Sequence, residues 1–257
     1  MKDNIINILI TNDDGYEALG IKKLATLAQE FGNVVVVAPK EAQSGKSCAL
    51  SLGQKLHFEI IHKEEGLTIC TLDGTPADCI KMGLHCFFQN KLPDLVLSGI
   101  NHGSNASSAA LYSGTLGATK EGAVYGIRSI GISIDTHDPN ADFSASINYS
   151  RKIIKKYLQV PNAKGTYLNI NFPNIKEEEI KGIKWGHQGD GQWIKEYQEG
   201  MYDNGEKYFL MVGEFRDNDP SNKKADHNIV EDGYVAIVPC QIDNTDYSEL
   251  DKLKDLI

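Results

Sequence analysis

The sequence predicts an α/β fold in which most strands lie parallel in one sheet. Short runs rich in β-branched residues alternate with helix-length amphipathic segments over the first two thirds of the chain, a pattern typical of βαβ units. Each predicted strand ends in a polar loop. With 257 residues, of which 41% are hydrophobic, the chain can also bury a large core.

The predicted elements follow in order. Each strand is a short run rich in Val, Ile, Leu or Tyr between turn residues, and each helix repeats apolar residues at helical spacing. The predicted strands are Ile5–Ile10, Val34–Ala38, Lys55–Ile61, Leu67–Leu72, Leu95–Ser98, Ser129–Ile134 and Tyr167–Ile170. The predicted helices are Ile21–Phe31, one that begins at Thr75–Pro76, Thr115–Tyr125 and Phe143–Tyr157. At the second helix Thr75 is a predicted cap, because Pro76 suits the first helical position and Asp78 suits the first turn.

The pattern changes near Lys181, where Gly-rich turns and alternating segments begin. Tyr208–Val212 and Tyr234–Val238 are expected in hairpins that cover a sheet edge or reach a neighbouring subunit. A boundary near Pro173 divides the chain into a core, 1–173, and a C-terminal hairpin and oligomerisation extension, 174–257. A single continuous domain over 1–257 is almost equally favoured.

The overall charge restricts the partners. A formal net charge of -9, without a Lys/Arg stripe, excludes a nucleic-acid duplex as the expected partner. No apolar stretch is long enough to span a bilayer and no leader pattern is present, so we expect no membrane association and a cytoplasmic location. A small anionic substrate remains compatible if a cation or the N–H groups of a helix N-terminus offset the negative field.

The first predicted strand runs directly into two adjacent carboxylates, Asp13 and Asp14. In open α/β sheets ligands bind outside the carboxyl ends of the strands, and adjacent carboxylates repel each other unless a cation lies between them. Both residues are therefore candidate metal ligands. From this motif alone, helix capping with a turn at Gly15 is equally favoured.

Two later loops carry further candidates. The loop Glu41–Ser47 is built of small residues that can bring a hydroxyl close to a ligand. In Gly99–Asn105, Asn101 offers a neutral oxygen to a cation, and the nearby Ser113–Thr115 has the features of a phosphate-binding helix N-terminus or of plain N-capping. His102 is a candidate general base, although a loop histidine is more commonly a packing or solvated residue.

Several separated motifs together resemble one family, the stationary-phase survival protein E (SurE) family of 5′/3′-nucleotidases. The motifs are Ile10-Thr11-Asn12-Asp13-Asp14-Gly15, Val36-Val37-Ala38-Pro39 with Ser44-Gly45, Gly74-Thr75-Pro76-Ala77-Asp78-Cys79, Ser98-Gly99-Ile100-Asn101 with Gly103 and Asn105, and Tyr112-Ser113-Gly114-Thr115 with Glu121-Gly122. Weaker matches at Asn169-Ile170-Asn171-Phe172-Pro173 and from Asp226 to Val235 extend the resemblance over nearly the whole chain.

The resemblance implies a Rossmann-like three-layer core, one divalent cation per subunit, and C-terminal segments exchanged within a homodimer or homotetramer. It implies hydrolysis of nucleoside 5′- and 3′-monophosphates, with short polyphosphate as a further candidate substrate. Carried over residue by residue, the metal ligands fall on Asp13, Asp14, Ser44 and Asn101. The phosphate contacts fall on Asn105, Ser113, Gly114 and Thr115.

An all-oxygen ligand set suits Mg²⁺ or Mn²⁺ rather than a structural zinc. The resulting hypothesis is that the cation orients the phosphate and activates a water for in-line attack, while Ser113–Thr115 stabilise the equatorial charge and Asp13 or Asp14 accepts a proton. The alternative is a sensor or scaffold that binds metal and nucleotide without turnover.

Two positions depart from the family pattern. The segment Ser107–Leu111 lacks the acidic residue that usually precedes the Tyr-Ser-Gly-Thr motif, and Gln43 replaces the usual basic residue before Ser44. The first departure predicts an altered substrate preference. The second removes a positive charge near the candidate site, which predicts weaker phosphate affinity.

Overall fold

A computed structural model describes residues 5–254 and shows a mixed sheet flanked by helices. The strands are β1 (Ile6–Thr11), β2 (Gly32–Pro39), β3 (Phe58–Glu64), β4 (Leu67–Leu72), β5 (Leu95–His102), β6 (Arg128–Ile134), β7 (Thr166–Phe172), β8 (Ile183–Trp185), β9 (Gly191–Ile194), β10 (Tyr197–Met201), β11 (Lys207–Met211), β12 (Glu214–Asp217) and β13 (Val235–Gln241). The α-helices are α1 (Leu19–Ala28), α2 (Pro76–Phe87), α3 (Ala109–Tyr112), α4 (Gly114–Val124), α5 (Ser144–Tyr157), α6 (Asp226–Glu231) and α7 (Tyr247–Leu253), and a 3-10 turn spans Glu177–Glu179.

The central sheet has nine strands in the order β3-β4-β2-β1-β5-β6-β7-β13-β8. The run from β4 to β7 is parallel, and β3 and β13 pair antiparallel with β4 and β7. The α/β class with a mostly parallel sheet is therefore confirmed. No helix among residues 5–254 has the length and apolar character needed to cross a bilayer.

Alternating side chains of β1 direct the packing of the two helical layers. Ile8 and Ile10 belong to a core that includes apolar residues of α1 and α5, whereas Leu9 belongs to a second core with α2. Successive side chains of a strand point to opposite faces, so one short apolar run supplies both cores. The result is a sheet buried on both faces, which explains why its strands are almost uniformly apolar.

The capping prediction at α2 is confirmed. The Thr75 hydroxyl accepts a hydrogen bond from the Asp78 N–H at 3.2 Å, and the Asp78 carboxylate accepts one from the Thr75 N–H at 3.0 Å. This reciprocal pair satisfies two N–H groups at the start of α2. Pro76 follows at the first helical position, where its missing N–H costs nothing.

The C-terminal region differs in part from the expectation. Tyr208–Val212 does fall in a hairpin, formed by β10 and β11. Tyr234–Val238 was expected in a hairpin as well, but β13 instead extends the central sheet beside β7 and pairs with β8 on its other side. The segment covers the edge of β7 as an added strand, because its apolar alternation suits a sheet position as well as a hairpin.

The carboxyl ends of β2, β1 and β5 meet because these strands are parallel neighbours. Strand β5 extends past the predicted end at Ser98 to His102, with a register shift between Ser98 and Asn101. Gly99 permits this path, since a Cβ there would lie 2.2 Å from the Ile132 carbonyl oxygen. The register shift therefore places Asn101 within the sheet edge rather than in a free loop.

Candidate functional site

A cavity of about 510 Å³ lies at the carboxyl ends of β1 and β5, beside the loop that follows β2. This volume is in the range typical of small-molecule sites. Its walls include Asp13, Ser44, Asn101, Asn105 and Ser113. Of the sequence-predicted site residues, these are the ones that the structure brings together on one surface. Asp14, Gly114 and Thr115 lie next to this surface rather than on it.

Asp13 is the most deeply buried carboxylate of the cavity wall, with 4% of its surface exposed. The Thr115 hydroxyl donates a hydrogen bond to its Oδ1. Gly114 is equally close, since a Cβ on this residue would lie 2.8 Å from the Asp13 Cβ and 2.9 Å from its Oδ2. The carboxylate is thus seated against the N-terminus of α4, where N–H groups favour negative charge.

Burial is the main cause of an unusual titration of Asp13. The pKa of this carboxyl is raised to about 6, because burial and, to a smaller extent, the charge of Asp14 outweigh the hydrogen bond from Thr115, which lowers it. No Lys or Arg lies among the residues that line the cavity. Ionised Asp13 therefore lacks a cationic side chain in this cavity to offset its charge.

Asp14 does not line the cavity itself but pairs with His102, which does. Its Oδ2 accepts a hydrogen bond from the His102 backbone N–H at 3.2 Å and lies 3.5 Å from the His102 Nδ1. The imidazole also packs edge-on against Phe143, with 5.2 Å between the ring centroids. His102 lines the cavity, but its ring is held in a packing position between a carboxylate and an aromatic ring.

Asn101 and Ser44 supply uncharged oxygens on two further walls. The Asn101 Nδ2 donates a hydrogen bond to the Gly103 carbonyl at 2.7 Å, which fixes the orientation of the amide. The Oδ1 of the same amide takes no part in that hydrogen bond. Ser44 lies in the loop after β2, which is attached to the site by the Gln43 N–H, a donor to the Asp13 carbonyl at 2.7 Å. Together with Asp13 they form an oxygen-rich set on the cavity wall that suits a hard cation.

The buried polar atoms beside this set are consistent with a cation site. The Asn12 Oδ1 is buried and accepts no hydrogen bond from the residues at 5–254. Within the same residues, no three His, Cys, Asp or Glu side chains converge as they would in a typical zinc centre. The metal-ligand candidates here therefore include few charged groups and several neutral oxygens.

Two of the residues expected to contact the phosphate, Gly114 and Thr115, contact Asp13 instead, whereas Ser113 lines the cavity. Ser113 lines the cavity and caps α4, since its Oγ accepts the Leu116 N–H at 3.0 Å. The expectation of N-capping at this point is met by Ser113. Thr115 is fully buried with its hydroxyl committed to Asp13, and Gly114 contacts the same carboxylate. Any contact of these two residues with a phosphate must come from backbone N–H groups.

The structure shows what Gln43 and Ser107, at the two places where the sequence departs from the family pattern, contact. Gln43 holds the loop after β2 through its backbone N–H, a contact that does not depend on the side chain. Ser107 is fully buried in a left-handed conformation, with φ of 52°, and precedes the short helix α3. Its N–H donates to the Asp226 Oδ1 at 3.0 Å and its Oγ donates to the Gly189 carbonyl at 3.0 Å. The position is therefore tied to the C-terminal region.

Sequence reasoning missed one entire wall of the cavity. Trp193, Glu196, Met211 and Val212 come from β9, β11 and the segments beside them, far along the chain from the strand-end loops. Trp193 is 41% exposed and stacks edge-on against Phe215, with ring centroids 6.0 Å apart. A partly exposed tryptophan in a Gly-rich hairpin region was the available signal, but it does not reveal which site it faces.

Comparison with known proteins gives consistent results. A family model described as "Survival protein SurE" matches residues 8–195. The 5'-nucleotidase SurE of Bacteroides fragilis is 42% identical over 247 residues, which cover 96% of this chain and 96% of that protein. The 5'-nucleotidase SurE of Cytophaga hutchinsonii is 39% identical over 246 residues, which cover 96% of this chain and 95% of that protein. The crystal structure of the SurE protein from Aquifex aeolicus superposes with a TM-score of 0.84 at 35% identity, over 97% of this chain and 99% of that one.

The titration of Asp13 predicts that Asp13→Asn stabilises the cation-free protein. The pKa is about 6 in the folded state against 3.8 ordinarily, so the folded state holds the extra proton and stability falls as the pH rises from about 4 to 6. Above that range the full penalty applies, on the order of 3 kcal/mol. Urea unfolding with a chelator present should show the variant more stable than wild type at pH 8 and equal to it near pH 3.5.

Asp142→Asn is the control of opposite sign. Hydrogen bonds from Ser144 lower the pKa of this exposed carboxyl, so its contribution is present above its ordinary pKa and is lost as the pH falls. Asp142→Asn should therefore lower the free energy of unfolding slightly at pH 8. A wild-type protein that is more stable than Asp13→Asn at pH 8 without cations would refute the assigned burial penalty.

Proposed function

The chain belongs to the SurE family, and on this basis we propose that it is a phosphoric monoester hydrolase that releases phosphate from nucleoside monophosphates. Relatives named 5'-nucleotidase SurE, about 40% identical over nearly the whole chain, support this activity. The observation that carries the proposal is a single cavity that joins an oxygen-rich cluster, Asp13, Ser44 and Asn101, to an apolar wall at Trp193. We include 3′-monophosphates and short polyphosphate as further substrates.

The proposed cofactor is one Mg²⁺ or Mn²⁺ per chain. Asp13, Asp14, Ser44 and Asn101 would hold it, since their carboxylate, hydroxyl and amide oxygens are the donors that these ions prefer. The raised pKa of Asp13 and the adjacent carboxylate of Asp14 support this assignment, because no Lys or Arg side chain lines the cavity. When bound, the cation supplies the positive charge that orients a phosphate and acidifies water.

The residues of the chain complete the reaction. We assign phosphate contact to Asn105 and Ser113 and to the backbone N–H groups of Gly114 and Thr115, which can stabilise charge on the equatorial oxygens. Water attacks phosphorus in line, and one of the carboxylates, Asp13 or Asp14, accepts its proton. The bond from phosphorus to the ester oxygen breaks, and that oxygen leaves with the nucleoside and takes up a proton.

We assign recognition of the nucleoside to the C-terminal hairpins. The indole of Trp193 and the side chains of Met211 and Val212 are apolar groups that line the same cavity as Asn105 and Ser113. A nucleobase can stack on such an aromatic surface without requiring specific hydrogen bonds. This arrangement supports activity on more than one base.

We also propose that the chain forms one α/β domain, with 1–173 as the core and 174–257 as an extension that carries the apolar wall and adds β13 to the central sheet. The β10–β11 hairpin exposes several large apolar side chains, among them Tyr197, Met201, Phe209 and Leu210. An exposed apolar surface of this kind is typical of an interface between protein chains. A homodimer or homotetramer is the proposed assembly.

Phosphate release from AMP and GMP should require a divalent cation and Asp13. Removal of cations with a chelator should abolish release, and Mg²⁺ or Mn²⁺ should restore it. Asp13→Ala should lower kcat/KM by roughly 100-fold or more, because it removes a ligand of the cation, and the cation stabilises the charge of the transition state by several kcal/mol. Glu65→Ala, at an exposed carboxylate in the β3–β4 turn that does not line the cavity, is the control and should leave kcat/KM unchanged.

The same assay, extended to 3′-monophosphates and polyphosphate, separates catalysis from the alternative of a sensor or scaffold. Tight binding of AMP without release of phosphate would support that alternative and reject the proposed enzyme. Near-normal turnover of a folded Asp13→Ala variant would reject the proposed cation site.

Trp193→Ala should weaken the binding of AMP without weakening that of a smaller phosphate ester. Loss of base stacking, worth ~1–3 kcal/mol, should raise the KM for AMP about tenfold. The KM for ribose 5-phosphate, which has no base, should stay within twofold. Trp185→Ala is the control, because Trp185 is exposed on β8 and does not line the cavity. Equal losses of Trp193→Ala for both substrates would contradict the assignment.

A further inference from the structure

Beneath the cavity, four buried polar side chains form an asparagine cluster consisting of Asn105, Ser133, Asn169 and Asn171. The Asn171 Oδ1 accepts the Asn105 backbone N–H at 2.8 Å, and the Asn169 Nδ2 donates to the Asn105 carbonyl at 2.9 Å. The Asn105 Nδ2 donates to the Ser133 Oγ at 2.7 Å. The Asn171 Nδ2 donates to the Asn169 Oδ1 at 3.0 Å, which links the two supporting amides.

The cluster is almost inaccessible to solvent. Asn105 is 6% exposed and the other three residues are at most 1% exposed. A buried amide without partners is costly, whereas amides that donate and accept among themselves are satisfied without burying charge. Asparagine therefore suits these positions better than aspartate, which has no donor for the reciprocal bonds.

The positions on β7 explain why both supporting amides face the same loop. Asn169 and Asn171 are two residues apart, so they project from the same face of the strand. The residues that alternate with them, Leu168, Ile170 and Phe172, pack into the apolar core on the opposite face. An otherwise apolar strand thus turns two amides towards the loop that follows β5.

Only one member of the asparagine cluster reaches the cavity. Asn105 lines the cavity, whereas Ser133, Asn169 and Asn171 do not. The backbone N–H, the backbone carbonyl and the side chain of Asn105 are each held by a different neighbour. Three contacts from two strands fix both the position and the side-chain rotation of this residue.

We propose that Asn169 and Asn171 are positioning residues for phosphate hydrolysis, which act through Asn105 and do not touch the substrate. The inference rests on the proposed function, in which Asn105 contacts the phosphate. Rates respond steeply to misplacement, since a shift of about 1 Å can cost 100-fold. The buried amides of β7 therefore set the reaction geometry without lining the cavity, from a strand that lies three places away from β1 in the sheet, beyond β5 and β6.

The experiment is a double-mutant cycle that combines Asn171→Ala with Asn105→Ala, measured as kcat/KM for AMP. In the wild-type background Asn171→Ala should lower kcat/KM by roughly 10- to 100-fold, mostly through kcat. In the Asn105→Ala background the same substitution should add less than a threefold loss, because the contact through which it acts is gone. Equal losses in both backgrounds would overturn the proposal, as would full activity of Asn105→Ala.

Two further variants guard against a simple loss of folding. Ser133→Ala removes only a hydroxyl that holds the Asn105 side chain, and it should show the same non-additivity with a smaller loss. Asn228→Ala is the matched control, since Asn228 is a buried asparagine that donates to the Asp219 and Asn222 carbonyls and does not line the cavity. It should lower the unfolding temperature without changing kcat. A comparable kcat loss in Asn228→Ala would overturn a specific role for the cluster.

Wild-type turnover separates failure of this inference from failure of the proposed function. If the wild-type protein releases no phosphate, the proposed function fails, and the cycle is then measured as the Kd for inorganic phosphate. Non-additive weakening of phosphate binding would still support positioning through Asn105. Additive weakening, or none, would overturn it.

Discussion

The contact between Asp13 and the N-terminus of α4 is the interaction on which the site depends. It joins the end of the first strand to a helix that begins about a hundred residues later, and it requires glycine at position 114 because a Cβ would meet the carboxylate. The helix N-terminus and the Thr115 hydroxyl stabilise the negative charge only in part, so the pKa remains raised. A carboxylate that destabilises the fold when it is ionised is well suited to bind a cation. Functional sites commonly lower the stability of a protein in this way.

The C-terminal region completes the site rather than merely extending the fold. It supplies the apolar wall at Trp193, and its buried Asp226 accepts N–H groups from Ser107, Gly189 and His227 on one carboxylate oxygen. These bonds connect the loop after β5 to the segments that carry the wall. Buried contacts therefore join the loop that carries Asn105 to the segments that carry Trp193.

Local periodicity was sufficient to predict the central strands and the main helices, because each is a short segment with a clear apolar pattern. The order of parallel strands also explains why Asp13 and Asn101 could be placed at one sheet edge from sequence. Ser44 needed the family resemblance, since a hydroxyl in a loop carries no distinguishing pattern. The use of the Thr115 hydroxyl on Asp13, and the position of Trp193, depend on contacts between distant segments that no local pattern records.

The central claim is that Asp13 and its neighbours form a site for one divalent cation, and Mn²⁺ binding measures this directly without relying on turnover. Titration of the cation-free protein, followed by calorimetry and by the electron paramagnetic resonance of free Mn²⁺, should give one ion per chain for the wild type. Asp13→Asn, which preserves the shape of the side chain, should weaken that binding by at least tenfold. Unchanged affinity and stoichiometry in a folded Asp13→Asn protein would contradict the account.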